Sequence, residues 1–206
     1  MWFQPAFEVW GSVVTWLEVV AVVLSVAMVG CNLRVHVAGW PLAMASSALY
    51  SLLFFHFKLY GEAALQWAFV ILAGWGWWRW LRPTSGQRAG AGVSYMSFTQ
   101  RTRAAVVTLA AWPLLGWCLR TVTDSDVPYL DALPTVASLT GQWLLAHKRI
   151  ENWWVWLGVN LFSVALFAYK QLWLTALLYA LFAALSWVGW QQWRRLFKAT
   201  LAASEA

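Results

Sequence analysis

The residues with chemistry to offer fall at helical spacing inside apolar stretches. Asn152, Trp156, Asn160 and Ser163 follow one another at i, i+4, i+8 and i+11, which lays amide, indole, amide and hydroxyl along one helix face. Asp131, Thr135, Ser138 and Gln142 form a second stripe, and Thr175, Tyr179, Phe182 and Ser186 a third. Earlier in the chain, Glu62, Gln66 and Phe69 occupy the places matching the third stripe, while Ser47, Tyr50 and Phe54 share one segment and Glu18 and Ser25 another. Trp and Tyr rings can stack on a flat heteroaromatic ring and attract a cationic one through their π faces. Asn and Gln present donor and acceptor together, to an amide or to sugar hydroxyls. These faces carry few charges and no Arg or Lys cluster, which argues against a phosphate ester as ligand.

Each stripe has a structural reading as well. Ser and Thr in apolar helices often bond their own backbone or close helix–helix contacts. Mid-segment amides have fewer such uses, so Asn160 and Gln142 lead the candidates. Glu18 and Asp131 lie toward segment ends, where ligand contact, pairing with a base and simple solvation all stay open. His36, His56 and His147 fall near segment ends without metal-ligand spacing. No nucleophile–base pair and no glycine-rich phosphate cradle is present, so neither an enzyme nor a cofactor is expected.

The elements that must position these residues follow from composition. Of 206 residues, 62% are apolar and 11% charged, against about 25% charged in a soluble domain. Too few charges remain to cover a water-facing surface, so the excess must face lipid. Nineteen Trp residues agree, because indoles favour the membrane boundary. A helix needs roughly 20 apolar residues to span the hydrocarbon core. Seven runs qualify: 12–32, 36–56, 59–80, 102–120, 129–147, 152–169 and 172–193. The expected fold is all-α and integral to the membrane, with one long connection from Leu81 to Gln100 that reads as a surface linker, Pro83 ending the third helix. Trp77, Trp78, Trp80, Trp190 and Trp193 read as an interfacial belt.

The net charge of +6 does not form a stripe suited to nucleic acid. With seven spans, one side holds eleven basic residues: Arg34, Arg79, Arg82, Arg88, Arg101, Arg103, Lys148, Arg149, Arg194, Arg195 and Lys198. The other holds three, Lys58, Arg120 and Lys170, with the acids Asp124, Asp126 and Asp131. The positive-inside rule then puts the N-terminus outside and the C-terminus in the cytoplasm. Cys31 and Cys118 are too isolated for a metal site. The segment before Cys31 lacks a basic start and contains Glu18, so neither a signal peptide nor a lipid anchor is expected there.

An internal repeat divides the chain. Shifted by 113 residues, positions 15–82 match their counterparts at 15 identities without a gap. Ser25 lies over Ser138, Glu18 over Asp131, Trp40 over Trp153, and Gly76-Trp77-x-x-Trp80 over Gly189-Trp190-x-x-Trp193. Generic apolarity explains Leu on Leu, but not these pairs in one frame. The chain therefore reads as a single transporter domain. Residues 12–80 form a first three-helix repeat, 81–128 a linker with the fourth helix, and 129–195 a second repeat. The odd linker helix lets both triplets point the same way across the bilayer. Such parallel repeats carry substrate near the midplane, at the interface of the halves.

The run Lys148-Arg149-Ile150-Glu151-Asn152-Trp153, continuing through Trp156, Asn160, Ser163 and Phe167, resembles the PnuC transporter family. Gln142 and Gly189-Trp190-x-x-Trp193 agree with it in the second half, as do Leu59-Tyr60, Gln66 and Gly76-Trp77 in the first. The resemblance implies a three-plus-one-plus-three fold, similar in plan to SWEET sugar transporters. It also implies uptake of nicotinamide riboside by facilitated diffusion across a bacterial inner membrane, feeding NAD biosynthesis through a cytosolic kinase. Homo-oligomers are implied too, with a trimer the expected form. Relatives of this fold that carry thiamine or riboflavin supply the alternative cargo. On this reading Asn160 and Gln142 bond the carboxamide or ribose, and Trp156 with Tyr179 or Tyr50 flanks the ring. Ser163, Asn152, Ser47 and Gln66 complete the candidate set.

Three rivals fare worse. A retinal photoreceptor needs a Lys in the last span, and 172–193 contains none. A membrane enzyme needs a constellation that is missing. A sugar carrier would use the same amides with fewer ring-stacking aromatics.

Overall fold

The computed structural model describes residues 4–9, 12–56, 60–82, 92–122, 127–169 and 173–205. Lys58, Pro83, Arg88, Asp124, Asp126 and Lys170 lie outside them, as do the side chains of Glu62, Phe167 and Thr175. Among the described residues the chain forms seven helices and one small hairpin. It divides into two compact units, Met1–Gly86 and Gln87–Ala206.

The first unit opens with strands β1 (Pro5–Val9) and β2 (Ser12–Thr15), paired antiparallel. This corrects the expectation of helix from residue 12, while the fold is carried by seven helices as expected. The run Ser12-Val13-Val14-Thr15 is rich in β-branched side chains that favour a pleated strand over a helical start. Thr15 then begins α1 (Trp16–Leu33) by accepting a hydrogen bond from the Glu18 backbone at 3.3 Å. With Glu three positions after the Thr, this is a capping-box sequence, and the acid sits in the first turn where the helix dipole favours it. Helix α2 (Gly39–His56) packs against both α1 and α3 (Tyr60–Leu81). Hydroxyls close the α1–α2 contact: Ser25 and Ser46 lie 2.7 Å apart and 2.9 and 3.0 Å from the Ala21 carbonyl, so one serine donates to the other and the second donates to the carbonyl. Ser51 donates to the Ala63 carbonyl of α3 at 3.1 Å.

The second unit comprises α4 (Phe98–Val122), α5 (Pro128–Ala146), α6 (Asn152–Tyr169) and α7 (Trp173–Glu205). Helix α5 packs on α4 and α6, and α6 packs on α7. The Thr108 and Thr140 hydroxyls meet at 2.8 Å between α4 and α5, and Trp112 Nε1 donates to the Tyr129 carbonyl at 2.7 Å. Helix α7 runs twelve residues past its expected end at 193, because Arg194–Glu205 is built of good helix formers. Along α4 the large apolar residues Val106, Val107, Leu109, Leu114 and Trp117 are exposed, a face suited to lipid rather than water. Helices α1 and α4 are long and apolar enough to cross a membrane on hydropathy alone, with means of 2.0 and 1.4. Trp, Ser and Tyr dilute the index elsewhere.

The same local constructions occur in both units, 113 residues apart. Val35 and Lys148 both adopt φ of 52°, and are the non-glycine residues with positive φ among those described. Around Val35, the backbone of His36 donates to Cys31 and that of Trp40 to Val37, and around Lys148, Arg149 donates to Leu144 and Trp153 to Ile150. Trp40 stands edge-on to Trp80 at 5.3 Å, and Trp153 edge-on to Trp193 at 5.5 Å. Gly76 lies under the Trp40 ring and Gly189 under that of Trp153. Trp40, Trp153 and Trp193 are buried, so Trp193 belongs to the core and not to the interfacial belt. Trp78 and Trp190 fit the belt better, each with an arginine over its ring: Arg82 at 3.9 Å and Arg194 at 4.4 Å.

Candidate functional site

The stripe on α6 faces its neighbouring helices, and each member does something different. Asn152 at the helix start is wholly buried, and its amide nitrogen donates to the Arg149 carbonyl at 2.6 Å. It fastens the turn that precedes α6. One turn on, the Trp156 indole lies over Gly141 of α5, where an added Cβ would stand 3.1 Å from the ring. Glycine there lets the ring approach the α5 backbone beside Gln142. Asn160 is 6% exposed, and its amide nitrogen donates to Ser186 Oγ of α7 at 3.2 Å. Ser163, one turn further, is equally buried.

Among the described residues, no hydrogen bond engages the Gln142 amide, the Ser163 hydroxyl or the Asn160 carbonyl oxygen. Gln142 is 8% exposed and Ser163 6%, so all three groups are largely withdrawn from solvent. A buried polar group without a partner costs about 1–3 kcal/mol. The Asn152 oxygen is sealed without a partner, whereas these three are not among the fully sealed atoms. They are groups that a hydrogen-bonding ligand would satisfy. Thr135 differs, since its hydroxyl donates to its own helix at the Asp131 carbonyl (2.9 Å). Tyr179 is half-buried on α7 and meets Phe182 edge-on at 6.3 Å, on the face that also bears Ser186. The α5–α7 sequences contain no Lys or Arg before Arg194.

In the first unit, Ser47, Tyr50 and Gln66 are half-buried on α2 and α3, and Tyr50 stacks with Phe54 at 6.0 Å. They stand 113 residues before Asn160, Ser163 and Tyr179.

The basic-Glu-Asn-Trp block lies outside this set of groups. Ser94 pairs with Arg149 in a parallel bridge, its nitrogen donating to the Lys148 carbonyl at 3.1 Å and its carbonyl accepting from Ile150 at 3.0 Å. Arg149 reaches Ser94 Oγ at 2.8 Å and the Tyr95 carbonyl at 3.1 Å. Glu151 Oε1 accepts from the Met96 backbone at 3.0 Å and pairs with Arg101 at 2.8 Å. Tyr95 packs edge-on against Phe197 of α7 at 5.1 Å. Residues 93–97 are therefore a clamp on the α5–α6 turn, with Val93 and Met96 buried, and not free linker. Burial within this turn pushes the Lys148 ammonium below the usual lysine range. The partners of this charged block lie some 50 residues upstream, in the stretch that read as surface linker in the sequence.

Comparison with known proteins decides the lineage. The family described as "Nicotinamide mononucleotide transporter" matches residues 15–195. The chain belongs to the nicotinamide mononucleotide transporter family. Members similar to it include the nicotinamide riboside transporter PnuC of Escherichia coli K12, 23% identical, with 89% of this chain and 87% of that protein covered. The riboflavin/roseoflavin transporter RibM of Streptomyces davaonensis is 26% identical over 92% and 90%. The crystal structure of the vitamin B3 transporter PnuC shares the fold, with a TM-score of 0.72, 23% identity, and 89% of this chain and 83% of that one covered. Membership agrees with the resemblance read from the Glu-Asn-Trp block, and a family of transporters agrees with a non-enzymatic role.

Proposed function

We propose that the chain carries nicotinamide riboside across a bacterial inner membrane by facilitated diffusion, supplying NAD biosynthesis. The observation that carries this is the set of withdrawn, uncommitted groups on Gln142, Asn160 and Ser163, with the Trp156 ring over Gly141 and Tyr179 on the α7 face that bears Ser186, in helices that hold no Lys or Arg before Arg194. The ligand offers a cationic aromatic ring for the π faces, and a carboxamide and ribose hydroxyls for the amides. The family takes its description from the mononucleotide, but a phosphate would find no Arg or Lys on these faces. The riboside in the names of the PnuC relatives fits better. Riboflavin is the second reading, favoured by the similarity to RibM.

Further elements belong to the same proposal. Seven spans, an external N-terminus and a cytoplasmic C-terminus rest on the basic-residue asymmetry. The parallel three-plus-one-plus-three repeat is supported by the recurring turn at Val35 and Lys148 and the recurring Trp–Gly–Trp packing. Homo-oligomerisation, with a trimer as the expected form, and consumption of the cargo by a cytosolic kinase complete it. Reconstituted vesicles test the whole. Labelled nicotinamide riboside should equilibrate without a proton or sodium gradient, and excess riboflavin, thiamine or mononucleotide should leave uptake intact. Uptake that an uncoupler abolishes, or that riboflavin competes away, counts against it.

A further inference from the structure

Ser186 is tied at both ends of its hydroxyl. Its Oγ lies 2.8 Å from the Phe182 carbonyl one turn back on α7, and 3.2 Å from the amide nitrogen of Asn160. The shorter of the two contacts runs to a backbone carbonyl, which can only accept, and the hydroxyl proton is placed there. What remains toward α6 is the oxygen lone pair, and that can only accept. The Asn160 side chain must therefore turn its NH2 toward Ser186 and its carbonyl oxygen the other way. The amide orientation is assigned from this set of donors and acceptors, as amide orientations are. Ser186 is 3% exposed, so water does not compete for its lone pair.

We propose that Ser186 is a positioning residue that sets substrate specificity by fixing which face of the Asn160 amide the ligand meets. The presented atom is an acceptor, so the ligand must bring an N–H or O–H to it. A carboxamide does. An isosteric ketone or a carboxylate at the same ring position does not, and its oxygen would face the Asn160 oxygen without a proton between them. This deepens the nicotinamide riboside reading and rests on it.

The test uses purified full-length protein and two ribosides, nicotinamide riboside and 3-acetylpyridine riboside, which differ in NH2 against CH3. The wild type should bind the ketone about tenfold more weakly, the scale of one buried hydrogen bond lost. Ser186→Ala releases the amide to turn its NH2 to the ketone, so the ratio should shrink toward one. Ser186→Thr keeps the hydroxyl and should keep the ratio. A merely structural role would weaken both ligands together and leave their ratio alone. An unchanged ratio in Ser186→Ala, or a ratio lost equally in Ser186→Thr, overturns the inference. Should Ser186→Ala fail to fold, the wild type still decides: equal affinity for the two ribosides overturns the inference, while the tenfold gap supports it. Absence of binding by both ribosides to the wild type removes the substrate reading itself, and this inference with it.

Discussion

Helices α1–α3 and α5–α7 share a framework and differ in what they do with their polar atoms. Both have a left-handed residue in the first inter-helix turn and a tryptophan seated on a glycine. In the first triplet three serines are committed: Ser25 and Ser46 pair and bond the Ala21 carbonyl, and Ser51 binds α3, while Ser47 has no such bond among the described residues. In the second, the Gln142 amide, the Asn160 oxygen and the Ser163 hydroxyl have no such bonds among the described residues. Position 73, the counterpart of Ser186, is an alanine, and position 47, the counterpart of Asn160, a serine. Framework and proposed ligand chemistry are thus carried by different residues. One set closes helices on each other, and the other leaves them with something to bind.

The framework is the costliest part to disturb. Gly76→Ala and Gly189→Ala each drive a methyl into a buried indole, at 2.5 Å from Trp153 in the second case. Each should cost about 1–3 kcal/mol by overpacking and reduce the yield of folded protein in detergent. A loss confined to one of the two would break the equivalence of the triplets. The serines sharpen the contrast. Ser25→Ala should lower thermal stability by about 1 kcal/mol and leave riboside affinity alone. Ser163→Ala should do the reverse, weakening binding several-fold without loss of stability. The same phenotype from both would erase the distinction. Glu151→Ala removes a half-exposed ion pair with Arg101, worth no more than about 1 kcal/mol, and the acceptor of the Met96 N–H. Its clearer sign should be faster trypsin cleavage at Arg101 in the unliganded protein, and an unchanged cleavage rate would demote the clamp. The smallest effect belongs to the turns. Val35 is β-branched in a left-handed conformation that costs roughly 1–2 kcal/mol. Val35→Asn should raise the melting temperature slightly, and more than Lys148→Asn does.

Much of this was legible in the sequence, where the signal is local. Apolar runs located seven helices to within a few residues, except where the β-branched stretch Ser12–Thr15 was absorbed into the first run and where α7 continues to Glu205. Helical phase put Asn160 and Ser163 on one face, and composition pointed to aromatic and amide chemistry. The bond from Asn160 to Ser186 was not legible, because it joins two helices and phase gives a face but not its partner. Trp193 was misread because hydropathy scores a buried indole and an interfacial one alike. Neither Val35 nor Lys148 is a residue type that favours positive φ, so the shared turn left no trace in composition. The clamp was hidden for a related reason: Ser94, Met96 and Arg101 read as linker until Arg149 and Glu151 stand beside them.

The central claim is that uncommitted polar groups of the second triplet hold the cargo, and calorimetric titration of nicotinamide riboside into purified Asn160→Leu reaches it most directly. Leucine keeps the volume and removes both ends of the amide. The account predicts a protein that melts as the wild type does, within a few degrees, and binds the riboside at least about tenfold more weakly. Wild-type affinity in a folded Asn160→Leu protein would contradict it.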